Sequence, residues 1–107
     1  MHFFEIEKIN GERVKSGQAY LEFFRNPQLS VGIYVLCTAE LDKQQPHAED
    51  EVYYVLSGRA NVTVGNEDRF VQAGTLVVVP AKVEHRFHTI IEDLKLLVLF
   101  APAEGTR

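Results

Sequence analysis

Eight short runs rich in β-branched and aromatic residues, each closed by turn residues, constrain this chain more than any other feature of its 107 residues. They fall near Tyr20–Arg25, Val31–Ala39, Glu51–Leu56, Ala60–Val64, Asp68–Gln72, Leu76–Val79, His85–Thr89 and Lys95–Phe100. Short runs at regular spacing, with no long stretch of helical period, predict the strands of an all-β sandwich or barrel. Gly65-Asn66 supplies the positive φ angles that a tight hairpin needs, while Ser57-Gly58 and Ala73-Gly74 mark further turns. Pro80 ends a strand because it has no amide proton to give to a ladder. Before Tyr20 the pattern is ambiguous, since Ile6 and Ile9 fit one helical turn or an edge strand. Residues 1–29 are therefore read as an N-terminal strand or a short helical extension.

The length allows one domain, taken as 1–107. A chain this short buries a modest core and is often helped by a second subunit. Alternate positions on both faces of Val31–Cys37 and Leu96–Phe100 are apolar, more than one barrel interior needs, so a homodimer is expected. Net charge is −4 and the eleven Lys and Arg are scattered, which argues against a nucleic-acid partner, whose phosphates need concentrated positive charge. No run approaches the roughly 18 apolar residues of a membrane span, so no membrane partner is expected. The segment Met1–Lys8 lacks the basic start and apolar core of a signal peptide, and a cytoplasmic location is the expectation. A lone cysteine, Cys37, can form neither an internal disulfide nor a thiolate zinc site, and is expected to be a buried structural thiol.

Two clusters carry chemistry. The first runs from Gln45 through His47, Glu49 and Glu51 to Gly58, and the second from Gly74 through Pro80 and His85 to Thr89. Side chains two apart share one face of a strand, so Gln45, His47 and Glu51 point the same way if their segment stays extended. His85, on a later strand, could complete the set from across a barrel. Two imidazoles and a carboxylate on rigid strands suit Fe(II), Mn(II), Ni(II) or Zn(II), with positions left for water or substrate. Taken bare, a histidine four places from a glutamate is weak evidence, and each histidine alone is more often a hydrogen-bonded or surface residue.

The whole text is more specific. It resembles the cupin superfamily, particularly its small single-domain members, whose motifs run G-x5-H-x-H-x3,4-E-x6-G and G-x5-P-x-G-x2-H-x3-N. His47, Glu51 and Gly58 fall in register with the first motif, and Gly74, Pro80 and His85 with the second. The resemblance covers about residues 30–101. It implies a double-stranded β-helix, or jelly-roll, barrel with His47, Glu51 and His85 as ligands of a divalent metal. Four positions depart from the pattern. Ala39 and Lys82 replace glycines, Thr89 replaces asparagine, and Gln45 stands where the first metal histidine belongs. Gln45 is then a weak fourth ligand or a hydrogen-bonder to metal-bound water, because an amide oxygen ligates less strongly than imidazole.

Around the set, Tyr53 and Phe87 have inward parity and could line the pocket or simply fill the core. Glu49 shares that parity, but with Asp50 reads as an exposed acidic turn. His88 has the opposite parity to His85 and is read as non-ligating; Arg59 and Arg86 are read as solvated, and His2 as irrelevant. Similar small cupins include oxygenases, isomerases and decarboxylases acting on small organic molecules. The resemblance therefore implies a metal-dependent enzyme, first a dioxygenase, with a Lewis-acid isomerase or decarboxylase, or a non-catalytic small-ligand-binding module, as alternatives.

Overall fold

A computed structural model describes all 107 residues of the chain. Helix α1 spans Ile6–Ser16 and is followed by β1 (Tyr20–Asn26), β2 (Leu29–Leu36), β3 (Asp50–Val64), β4 (Glu67–Gln72), β5 (Leu76–Val79) and β6 (His85–Ala101). All pairings are antiparallel. The strand order is β1-β2-β6-β3-β4, with β5 paired to the first part of β3. The all-β reading holds, with one short helix. That helix resolves the ambiguity at Ile6 and Ile9: Glu7 in its first turn and Arg13 and Lys15 in its last suit the helix dipole, and Gly17 closes it in the left-handed region at φ 73°. It packs against β1 and β2 and buries Ile9. No helix is long and apolar enough to cross a membrane.

Alternation builds the core. Leu94, Leu96, Val98 and Phe100 of β6 face inward and meet Tyr53 and Val55 of β3, all six almost fully buried. Two expected breaks between strands prove to be continuous strand. Ser57-Gly58 does not end a strand; β3 runs through it with register shifts against β6 between Val55 and Asn61. Extra residues on one strand bend it sharply, which is how a ladder curls around a core. β6 is likewise continuous from His85 to Ala101 rather than two strands. The hairpin at Gly65-Asn66 forms, but only Gly65 takes a positive φ, at 60°.

Cys37 is exposed, not buried. β2 ends at Leu36, whose side chain takes the inward place, and Cys37 begins an irregular stretch. A hydrogen bond with the Glu40 side chain raises its thiol pKa, so nothing here activates the sulfur.

Three of the four departures from the family pattern share one physical cause. Ala39 (φ 68°), Lys82 (φ 68°) and Thr89 (φ 51°) are the three non-glycine residues with positive φ. Glycine and asparagine tolerate that region, whereas other L-residues pay roughly 1–2 kcal/mol there. The left-handed turns are kept here with residues that do not favour them. Ala39→Gly, Lys82→Gly and Thr89→Gly should therefore each stabilise the fold, by about 0.5–1 kcal/mol in urea denaturation. Gly58 shows the converse. At φ 98°, a Cβ on it would lie 2.2 Å from the Asp93 carbonyl oxygen. Gly58→Ala should cost about 3 kcal/mol or more by the same measurement, because backbone strain and a backbone clash add. Gly74→Ala, at φ 95° with open space around it, should cost only about 1 kcal/mol.

Candidate metal centre

The ligand atoms of His47, Glu51 and His85 all lie within 4.8 Å of one another. Glu51 comes from the start of β3 and His85 from the start of β6, so both are carried on strands and both are buried. His47 comes from the irregular segment before β3, where its carbonyl accepts the Lys82 amide proton at 2.6 Å.

Each histidine has one nitrogen occupied by a neighbour. His85 Nδ1 is 3.1 Å from the Val83 carbonyl, which can only accept, so Nδ1 carries a proton there. Nε2 then faces the cluster, 3.1 Å from Glu51 Oε1 and 3.1 Å from the Tyr53 hydroxyl. Burial works against charging this imidazole, but the Glu51 carboxylate, the Val83 carbonyl and Asp42 outweigh it and the His85 pKa is raised. His47 Nδ1 lies 3.8 Å from Glu104 Oε2, while its ring edge meets Phe100.

What remains is a set of buried polar atoms without hydrogen-bond partners: His47 Nε2 and both oxygens of Glu51. The His85 nitrogen is close enough to Glu51 for an ion pair, yet its direction does not make a hydrogen bond to either oxygen. Buried polar atoms are almost always partnered, and three orphans converging on one point fit a cation that would satisfy them together. Two neutral imidazoles and one carboxylate are a donor set for a first-row divalent metal.

Gln45 is not brought into this set. Its side chain is exposed, because residues 41–47 form no strand and the extended alternation fails there. The inward amide is Gln44, which accepts the Tyr53 hydroxyl proton at 2.8 Å. Tyr53 thus links Gln44 to His85, and Phe87 packs edge-on against its ring. Burial, with the charge of Glu51, pushes the Tyr53 hydroxyl pKa well above the ordinary range, keeping it a neutral hydrogen-bonding group.

Glu49 is a further correction: it is buried, not an exposed turn, and its Oε2 accepts the amide protons of Gly105 and Arg107, both at 3.1 Å. Inward parity was the truer signal. His88 stays outside the set, against Asp68 at 2.8 Å and Thr63 at 3.1 Å. Arg59 pairs with Glu92 at the surface, and His2 packs against Phe4 and Phe24.

A cavity of about 190 Å³ opens beside His47 and Glu51, with Tyr20, Tyr34 and Glu104 on its walls. The sequence reading singled out none of those three. Tyr20 and Tyr34 sit in register on paired strands, a signal that alternation could have shown. Glu104 lies after β6, where no periodicity reaches it. Asp42 was missed too. It receives the Tyr34 hydroxyl (3.0 Å), the Phe87 amide (2.9 Å) and both nitrogens of Gln44 (3.2 and 3.3 Å), and so fastens the segment before His47.

Known proteins share this architecture. The chain is 49% identical over 105 residues to the uncharacterized protein SCO3923 of Streptomyces coelicolor, covering 98% of this chain and all of that one. The crystal structure of TT1209 from Thermus thermophilus is similar over 96% of this chain and 99% of its own, with a TM-score of 0.74 at 24% identity. The DMSP lyase DddQ of Ruegeria pomeroyi shares the fold over 81% of this chain and 49% of its own, with a TM-score of 0.69 at 19% identity. The family model of the cupin domain matches residues 38–100, the stretch that carries His47, Glu51 and His85. The chain belongs to the cupin family.

Proposed function

We propose that this cupin is a metal-dependent enzyme acting on a small organic molecule, with His47, Glu51 and His85 as the metal ligands. The observation that carries the reading is the convergence of these residues with His47 Nε2 and both Glu51 oxygens buried and unpartnered. A bound divalent metal supplies Lewis acidity and, with iron in a two-histidine, one-carboxylate set, O2 chemistry. Glu51 supplies the negative charge that offsets the cation. The Val83 carbonyl fixes the His85 ring through Nδ1, and Phe100 steadies that of His47. The adjoining cavity admits a small substrate and little else.

A dioxygenase is the first reading within this class because the donor set suits it. A Lewis-acid isomerase, decarboxylase or lyase is the second, favoured by the Glu104 carboxylate and Tyr20 hydroxyl on the cavity wall, groups that can carry protons. Elemental analysis of protein purified without a histidine tag, then O2 uptake with phenolic and diketone compounds, separates the two. Bound iron with O2 consumption supports the first; turnover without O2 uptake supports the second. His47→Ala, Glu51→Ala and His85→Ala should each lower metal affinity beyond the roughly 10–100-fold that a supporting residue costs. Gln45→Ala should leave metal content near wild type. Retention of metal by all three ligand variants would sink the assignment.

A homodimer is proposed on independent grounds. Phe3 is largely exposed, Phe23, Phe24, Val31, Leu97 and Leu99 are only partly buried, and helix α1 covers only part of this side of the sheet. A second copy would cover the remainder. Light scattering at micromolar concentration should give twice the 12.1 kDa chain mass; a species at the chain mass itself rejects the dimer.

A further inference from the structure

Four polar residues are buried: Ser30, Glu49, Glu51 and His85. Glu51 and His85 belong to the metal set. The other two serve one purpose, which is to fasten the segment after β6. Ser30 Oγ accepts the Glu104 amide proton at 2.9 Å, and Glu49 Oε2 accepts those of Gly105 and Arg107. Arg25, itself held by both Glu22 oxygens, donates to the Glu104 carbonyl at 2.7 Å. Burying a carboxylate and a hydroxyl is costly unless they are well bonded, so a segment fixed by both is built to stay in place.

Its fixed position puts the Glu104 side chain into the cavity beside the metal centre, with Oε2 3.8 Å from His47 Nδ1. The cavity walls contain Tyr20, Tyr34, Gln44 and Glu104 but no Lys or Arg. The Tyr20 hydroxyl is buried there without a partner, and Tyr34 is already committed to Asp42. Glu104 therefore presents a negative charge and a strong acceptor, and Tyr20 a free donor, with no Lys or Arg side chain to offset that charge for an anionic group.

We propose that Glu104 is a selectivity residue, biasing this cavity toward an uncharged ligand that bears a hydroxyl and a carbonyl oxygen and against a carboxylate of the same shape. This rests on the metal reading above for the identity of the site. The ligand hydroxyl donates to Glu104, and an oxygen accepts from Tyr20. A carboxylate ligand meets the repulsion of Glu104 across a few ångströms of partly dry space, where like charges cost far more than in water.

The test uses hydroxyacetone and glycolate, which have the same number of heavy atoms and differ by a methyl in place of a charged oxygen. Both are titrated at about pH 8, where a free carboxylate is ionised, into the Co(II)-loaded full chain. Visible absorption and amide NMR shifts report binding, and metal content is measured separately. In Glu104→Gln, which keeps size and hydrogen bonding, glycolate should gain on hydroxyacetone by about tenfold or more, the scale of one nearby charge. Glu49→Gln, which loosens the segment without entering the cavity, should move the ratio the same way. Tyr20→Phe should weaken both probes alike and leave the ratio unchanged. If wild-type protein takes up no metal, the metal reading fails; the same ratio is then read by NMR without metal, and its change still supports selection by Glu104. An unchanged ratio in Glu104→Gln with its thermal melt intact overturns the proposal, as does binding of neither probe to any of the proteins.

Discussion

Glu51 and the strand position that pairs with His85 lie far apart along one ladder. Glu51 is opposite Phe100, whereas His85 is opposite Val64, thirteen residues further along β3. A straight strand of that length spans about 43 Å, more than the 36 Å longest dimension of the molecule. Yet Glu51 Oε1 and His85 Nε2 are 3.1 Å apart. The β3–β6 ladder must therefore turn back on itself, and the register shifts between Val55 and Asn61 are where it does so. Gly58 sits at their centre, its backbone pressed against Asp93 and Leu94 of β6 where no side chain would fit. The metal set is a consequence of that bend.

Much of this was legible in the sequence because two independent codes agreed. Runs of β-branched residues reported strands, and motif spacing reported which strands meet. The bend was not legible as a bend. Ser57-Gly58 carries the composition of a turn, and only pairing across the sheet distinguishes a turn that ends a strand from a bulge that continues it. The same holds for β6, whose charged stretch Glu92–Lys95 looks like a loop between two strands and is instead part of one, paired with β3.

Alternation failed where the chain leaves the ladder, and within the ladder its parity switches between Val55 and Ala60 and between Phe87 and Ile90. From Glu49 to Val55 every second residue is buried, so Glu49, Glu51, Tyr53 and Val55 share an interior face. Between Cys37 and His47 no strand pairing fixes the direction of a side chain, and parity counted through Pro46 chose Gln45 where the structure uses Gln44. Cys37 was misplaced for the same reason. These errors are informative about the site. His47 is the one member of the set on irregular backbone, so its place depends on tethers outside any ladder.

Those tethers come from several directions. Asp93 Oδ1 accepts the Thr38 amide proton, Glu40 Oε1 accepts that of Cys37, and Asp42 joins the segment to Tyr34 and to the Phe87 backbone. The last tether reaches His47 directly, from the amide of Lys82. Lys82 is one of the three non-glycine residues in the left-handed region. Glycine would reach the same conformation at less cost in the folded state but with more freedom to lose on folding. A lysine there keeps strain beside the set, at a position whose backbone amide is bonded to the His47 carbonyl. Ala39, the second such residue, opens the same segment, so backbone strain brackets the irregular stretch at both of its attachments. The rigid ligands come from the sheet. The third is held by strained turns that only the rest of the fold can keep closed.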